Sequence, residues 1–367
     1  MDSNNSTSQS NTCGKQASTE WIITTVYLIV IFFLTVCGNL LVILVVVRYR
    51  KLQQVTNYFI VSLAIADLLI AATTLPLTIH VNIHNGFWCL SLPACGFWLA
   101  MDATCAFASI ANLAAISIDR LIAITMPLRY RDIVTNSRVF RVITAIWLFC
   151  IVWGCLVLLD WTNPKELGVQ AYVNGVNDVC QHTEPIYYTV SIVIAFFVPL
   201  LIIITAYTVI LKVAITQAKA VAALNPNRDQ EKKSFFRETK ATKMVALVIG
   251  AFVISWLPVF ILLLIGLWDP ESTKKFRENK PKAHKFVFFT FLRVLPPLNS
   301  CVNPIIYAVF NKNFRSAFKL FLCRFKPMKD DMNLSMISYS TRMSLTRRKT
   351  SLCTVLSDTD VKENTAA

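Results

Sequence analysis

The sequence predicts an all-α protein: a bundle of seven membrane-crossing helices followed by a short amphipathic eighth. Three observations carry that prediction. Hydrophobic residues make up 55% of the 367 and charged ones only 16%, where soluble domains average about a quarter charged. Apolar runs recur along the chain, each long enough to cross about 30 Å of hydrocarbon at 1.5 Å per residue. The basic residues fall mostly on one side of those runs.

The runs cover residues 21–47, 57–81, 92–125, 139–160, 186–213, 239–268 and 286–310. A buried helix in a soluble core explains any one of them; seven in a row with short polar connections argue against it. Four regions follow: a glycosylated outer tail over 1–20, the bundle over 21–310, a membrane-surface helix over 311–323, and a disordered inner tail over 324–367. The first twenty residues are polar, with no apolar stretch separate from the first run. That run is expected to act as its own insertion signal.

A net charge of +15 invites a nucleic-acid reading, but the charges are sorted by side. Twenty-six Lys and Arg lie in or beside the segments after runs one, three and five and in the tail, against eight on the opposite face. By the positive-inside rule the basic face is cytoplasmic and the N-terminus extracellular. Six of the eight, from Lys274 to Lys285, run against the rule, partly offset by Asp269, Glu271 and Glu278. Asn4 and Asn5 begin glycosylation triplets, sensible only on an outer tail.

Of eleven cysteines, Cys37, Cys105, Cys150, Cys155 and Cys301 lie inside runs and read as packing residues. Cys13, Cys89, Cys95 and Cys180 face the oxidising side. A Cys95–Cys180 bridge would pin the second outer loop over the bundle mouth. Whether Cys13 and Cys89 form a second bridge stays open.

Ionisable groups inside a bilayer are costly, so each suggests a role. Here they are Asp67 in the second run, Asp102 and the pair Asp119-Arg120 in the third, and Arg293 in the seventh; Asn39, Asn112, Asn299 and Asn303 add neutral polarity. Eighteen residues separate Asp102 from Arg120, about five turns and about 27 Å, so both occupy one face. Ser109 shares that face two turns below Asp102. One helix thus carries a carboxylate near the outside and a guanidinium near the inside.

These motifs resemble the rhodopsin-like (class A) G-protein-coupled receptors over residues 21–325. The marks are Gly38-Asn39, Asp67, Asp119-Arg120-Leu121, Trp147, Pro199 with Tyr207, Ser255-Trp256-Leu257-Pro258 and Asn303-Pro304-Ile305-Ile306-Tyr307. Within the class, Ile124 to Tyr130, Glu238 to Lys243 and Leu298-Asn299-Ser300-Cys301 resemble biogenic-amine receptors.

The resemblance implies roles. Asp102 would hold a ligand ammonium, Ser191 would bond a ligand hydroxyl or ring nitrogen, and Phe196, Trp256 and Phe260 would form aromatic walls. Ala195 stands where a second serine would complete a catechol grip. Asp67, Ser109, Asn299, Ser300 and Asn303 match a sodium site, the one ion expected in a chain without other cofactors. Ile110, Pro199 and Phe252 match the packed trio that relays pocket contraction. Arg120, paired with Asp119 and with Glu238, would form the switch released on activation, with Tyr207 and Tyr307. Leu121 replaces the usual tyrosine after that arginine.

The seventh run departs from amine receptors: Pro297, beside Pro296, replaces a tyrosine and Val294 a tryptophan. Counting two turns from Arg293 to Ser300 turns Arg293 inward, where it is expected to pair with Asp102; snorkelling to the outer surface is the alternative. Pairing would favour a carboxylate-bearing ligand or an orphan receptor.

Past the bundle, Phe314, Phe318 and Phe321 alternate with Lys312, Arg315 and Lys319, a helix for the inner leaflet. Cys323 is placed for palmitoylation. Arg347 to Ser351 in the Ser/Thr-rich tail offers a kinase site whose phosphate would suit arrestin.

The expected partners are therefore a heterotrimeric G protein, arrestin and a receptor kinase, the bilayer and a small, amine-like extracellular ligand; nucleic acid is not among them. No metal-ligand cluster or phosphate-cradling loop suggests an enzyme. No repeat or broken helix suggests a transporter. An opsin needs a lysine in the seventh run, and residues 286–307 hold none. A class A receptor for a peptide or zwitterionic ligand is the rival reading.

Overall fold

The computed structural model describes residues 19–159, 169–171, 180–182, 185–224 and 229–324. The first crossing is α1 (Thr19–Arg48). The second joins α2 (Val55–Leu69) through a wide π turn at Ile70–Thr74 to α3 (Leu75–Ile83). The third is α4 (Leu92–Thr125); after the one-turn α5 (Tyr130–Ile133), the fourth is α6 (Asn136–Cys155). Strands β1 (Val169–Ala171) and β2 (Cys180–His182) pair antiparallel in the second outer loop. The fifth crossing runs from α7 (Pro185–Ile192) through a π turn at Val193–Phe197 into α8 (Val198–Leu224). The sixth is α9 (Asp229–Trp268), followed by the loop helix α10 (Pro270–Asn279). The seventh consists of α11 (Pro281–Phe288), a π turn at Phe289–Val294 and α12 (Leu295–Phe310), and α13 (Lys312–Arg324) ends the described chain.

Among the described residues, six stretches are long and apolar enough to span a membrane: the first six crossings, the second and fifth of them running across their π turns. The seventh is divided by its π turn and carries Arg293 within it.

The three π turns share a cause that is written in the sequence. Each ends just before a short proline motif: Leu75-Pro76, Val198-Pro199 and Leu295-Pro296-Pro297. Proline lacks the N–H for the backward bond, and its ring collides with the carbonyl four residues earlier, so the preceding turn widens. Pro258 and Pro304 instead sit inside continuous helices.

Helix α4 is the axis of the bundle. It packs against α2, α6, α8 and α9, and 56% of its apolar window is buried, against 17% in the fourth crossing at the rim. Helix α12 lies between α9 and α1 and closes the ring. The largest core joins Val42, Leu63, Ile110, Leu113, Phe252 and Tyr307. Outward-facing Ile22, Val26 and Phe33 of α1 and Leu148, Ile151 and Val152 of α6 are exposed, an apolar belt suited to lipid.

Several motif residues tie crossings together. Asn39 donates from Nδ2 to the carbonyls of Thr35 and, across to α12, Ser300, at 3.1 and 3.0 Å. A Cβ on Gly38 would stand 2.9 Å from Pro304, so only glycine lets α1 approach α12 this closely. The Trp147 indole donates to Ser62 at 3.0 Å, fastening α6 to α2.

Some bounds differ from expectation. The fourth helix ends at Cys155 with a 3-10 turn over Leu156–Leu158, and Asp160 lies outside the described residues. Helix α10 was not expected; Asp269 caps it by accepting from the Ser272 N–H at 3.0 Å, and its Ser272 bonds hold the exposed carboxyl below the usual range. In α13, Phe314 and Phe318 are buried, Phe314 against Tyr307 at 5.6 Å, so much of this helix's apolar face covers the bundle rather than the leaflet.

Candidate functional site: a polar column from outer mouth to inner end

The column begins at Asp102, on the same face of α4 as Ser109, one heptad deeper. Ser109 is 2% exposed, so that face points into the bundle. Asp102 itself is exposed at its surface although protein surrounds it closely, so it lines a gap between helices rather than packed core. Among the described residues it has no ion-pair partner. Tyr188 of α7 lies within Coulombic reach of it, a neighbour that the sequence did not single out. The mouth carries a lid: β2 bears Cys180, which is bonded to Cys95 of α4 with their Cα atoms 5.6 Å apart. Cys89 is also disulfide-bonded, while Cys13 lies outside the described residues.

Arg293 does not pair with Asp102, contrary to the helical count. Its guanidinium carbon lies 4.3 Å over the Trp21 ring, and Nη1 donates to Asn82 Oδ1 at 3.3 Å. The count failed because the π turn at Phe289–Val294 breaks the α-helical register between Arg293 and Ser300. The side chain therefore points toward α1 and α3. Prolines 296 and 297 carried that signal in the sequence.

Ser191 is also differently engaged from the expectation. It is 2% exposed and accepts a hydrogen bond from the Trp153 indole at 2.9 Å, so its oxygen is turned toward α6. Below it, an aromatic stack fills the bundle. Phe196 meets Phe260 at 4.5 Å, Phe260 meets Trp256 at 5.6 Å, and Trp256 meets Phe252 at 6.2 Å. Ile110 and Phe252 share the main core with Phe196, and Pro199 is half-buried just past the wide turn of the fifth crossing.

Midway down, Asp67, Ser109, Asn299, Ser300 and Asn303 are all buried. Asn303 donates to Asp67 Oδ2 at 2.9 Å, and Ser109 donates to the Cys105 carbonyl at 2.9 Å. Among the described residues, Asp67 Oδ1, Asn299 Oδ1 and Asn303 Oδ1 are buried with no hydrogen-bond partner. Orphaned oxygens of this kind need a cation, a proton or water. An all-oxygen set with one carboxylate suits a hard cation.

At the inner end the groups are saturated. Asp119 Oδ2 accepts from Arg120 Nη2 at 2.7 Å and from the Thr56 hydroxyl at 2.6 Å, and Oδ1 accepts from Tyr130 at 2.8 Å. Arg120 Nη2 also donates to Thr56 Oγ1. Burial pushes the Tyr130 phenol above its ordinary range, so it stays a donor. Thr56, from α2, and Tyr130, from the short α5 that follows α4, were not foreseen as partners of Asp119. Tyr307 is buried, and the Tyr207 hydroxyl is buried without a partner among the described residues. The Glu238 side chain lies outside the described residues, as do Asn4 and Asn5. Cys323 is exposed on α13.

Residues 38–307 match the family model for the 7 transmembrane receptor (rhodopsin family). Similar proteins include the alpha-1A adrenergic receptor of Oryctolagus cuniculus, 33% identical over 317 residues, covering 77% of this chain and 64% of that protein. The Homo sapiens protein of the same name is 32% identical over the same length, with the same coverage. The D(1A) dopamine receptor of Xenopus laevis is 33% identical over 331 residues, covering 81% of this chain and 71% of that protein. The chain spans about 64% of the length of the adrenergic relatives it matches.

Proposed function

Because the chain belongs to the rhodopsin family of seven-transmembrane receptors, we propose that it binds an amine-like extracellular ligand and activates a heterotrimeric G protein. The family is one of receptors, not enzymes, and the apolar crossings make the chain a multi-pass membrane protein. In our reading it sits in the plasma membrane with its N-terminus outside, as the charge asymmetry favours.

The carrying observation is Asp102: an inward-facing carboxylate that lines a gap between helices, with no counter-ion among the described residues. In a cavity of reduced dielectric such a group attracts a cation more strongly than it would in water. The likeness to proteins named as adrenergic and dopamine receptors supports an amine as that cation. The amine enters that gap and meets Asp102. The stack of Phe196, Phe260 and Trp256 forms the floor that its aromatic or alkyl part presses on. Ser191 bonds the ligand only if its Trp153 bond gives way or its own proton points inward.

Asp67, Ser109, Asn299, Ser300 and Asn303 would hold sodium, which supplies a positive charge among otherwise unpartnered oxygens. Contraction of the mouth presses Trp256 and Phe252 toward Ile110. At the inner end, activation frees Arg120 from Asp119 and Thr56 and opens a cleft for the G protein; a restraint from Glu238 belongs to the same reading. Arrestin and a receptor kinase acting on the tail, and palmitoylation of Cys323, complete it.

The test is G-protein dissociation in cells that express the full chain, with a panel of monoamines. At least one amine is expected to act, and Asp102→Asn is expected to weaken it at least about a hundredfold, the loss that follows from removing one partner of a desolvated ion pair. Amine responses that survive in the variant unchanged would overturn the reading.

A further inference from the structure

The charges near the outer end of the bundle are unbalanced in two places, not one. Asp102 lacks a cation, and Arg293 lacks an anion among the described residues. Arg293 is nonetheless held with care. Asn82, 0% exposed, donates to the Trp21 carbonyl at 2.8 Å and to the Thr25 hydroxyl at 2.7 Å, which leaves its Oδ1 aimed at Arg293. The Trp21 ring supports the guanidinium from one face. Gly86, at φ +92, lies beside it; a Cβ there would stand 3.5 Å from Nη2. A guanidinium has five N–H donors, and the one hydrogen bond it makes among the described residues, at 3.3 Å, is long. Most of the fork is therefore unused, in the planar geometry that fits a carboxylate with two parallel bonds.

The two sites differ in depth. Val81 packs in one cluster with Cys95 and Trp98, which sets the level of Asn82 near the outer end of α4. Asp102 lies four to seven residues below those two, about 6–10 Å deeper at 1.5 Å per residue. Adjacent helices add a lateral separation of about 8–10 Å.

We propose that Arg293 is a second anchor of the ligand pocket, binding the carboxylate of an elongated amino acid whose ammonium occupies Asp102. The proposal rests on the amine reading of Asp102. An α-amino acid, with its charges on adjoining carbons, reaches only one anchor. A chain with ammonium and carboxylate at opposite ends reaches both. A plain monoamine uses the deep anchor alone and leaves the guanidinium without an anion.

The test is thermal unfolding of the purified full chain in lipid nanodiscs, titrated with ω-aminobutanoate, ω-aminohexanoate and ω-aminooctanoate and with the matching alkylamines. The concentration dependence of the midpoint gives each apparent affinity. The longer amino acids are expected to bind more tightly than their alkylamines. Arg293→Gln is expected to weaken the amino acids about tenfold to a hundredfold, the range for a charge-assisted bond, and to leave the alkylamines unaltered. Arg293→Lys, which keeps the charge but not the fork, is expected to fall between. Asp102→Asn is expected to weaken both classes.

Amino acids that bind no better than alkylamines, that fail to bind, or that keep their advantage in Arg293→Gln would overturn this proposal alone, provided that Asp102→Asn still weakens the alkylamines. Alkylamines that bind Asp102→Asn as they bind the wild type would overturn the amine reading, and the proposal with it.

Discussion

Asp102 and Asp119 stand on the same helix, and their surroundings are opposite. The outer carboxylate lines a gap between helices and has no counter-ion among the described residues; the inner one is 3% exposed and accepts from Arg120, Thr56 and Tyr130 at once. Identical side chains on one rigid element thus do different work. An unsatisfied carboxylate is a vacancy for something that arrives from outside the protein, whereas a saturated one is a restraint that must be undone. Between them, the orphaned oxygens around Asp67 form a third environment, buried like the inner end and under-satisfied like the outer.

The sharpest way to break the contrast is to remove the outer charge. Asp102→Asn is expected to reduce amine potency by at least about a hundredfold while the melting temperature changes little, because the native carboxylate makes no ion pair among the described residues. A large drop in thermal stability would show that Asp102 is structurally engaged after all. Next in size is the lid. Replacing Cys95 and Cys180 together by serine is expected to cost about 2–4 kcal/mol, read as a fall in melting temperature, with the inner network intact.

At the other end, Tyr130→Phe deletes one charge-assisted bond to Asp119, a loss of about 1.5–3 kcal/mol. Nucleotide exchange on the G protein without ligand is expected to rise, since the restraint on Arg120 weakens; an unchanged basal rate would mean that the bond is incidental. The smallest effect concerns the middle. Sodium at ten times its dissociation constant is expected to stabilise the chain by about 1.4 kcal/mol, and Asp67→Asn to abolish that increment. Potassium that stabilises equally well would remove the case for a selective cation site.

Most of the fold was legible because a bilayer allows few solutions: apolar length gave the crossings, and basic loops favour one orientation. The middle of the polar column was legible through the family resemblance, which singles out Asp67, Ser109, Asn299, Ser300 and Asn303, and all five are buried. What misled was local register. Arg293 was placed by counting α-helical turns across a segment that prolines 296 and 297 widen, and the same rule would have flagged Pro76 and Pro199. What stayed hidden was side-chain choice between neighbours. Nothing in the sequence says that Trp153 rather than a ligand reaches Ser191, or that Thr56 and Tyr130 converge on Asp119. Those partners come together only through packing.

Central to the account is that occupancy of the open carboxylate and release of the saturated one are coupled. Linkage makes the coupling reciprocal, so it can be read from the ligand side. The direct measurement is the affinity of an active amine for the full chain in nanodiscs, with and without nucleotide-free G protein. The account predicts tighter amine binding with the G protein present, by about 5–150-fold, and loss of that gain in Asp102→Asn. Equal affinity in the two conditions would contradict it.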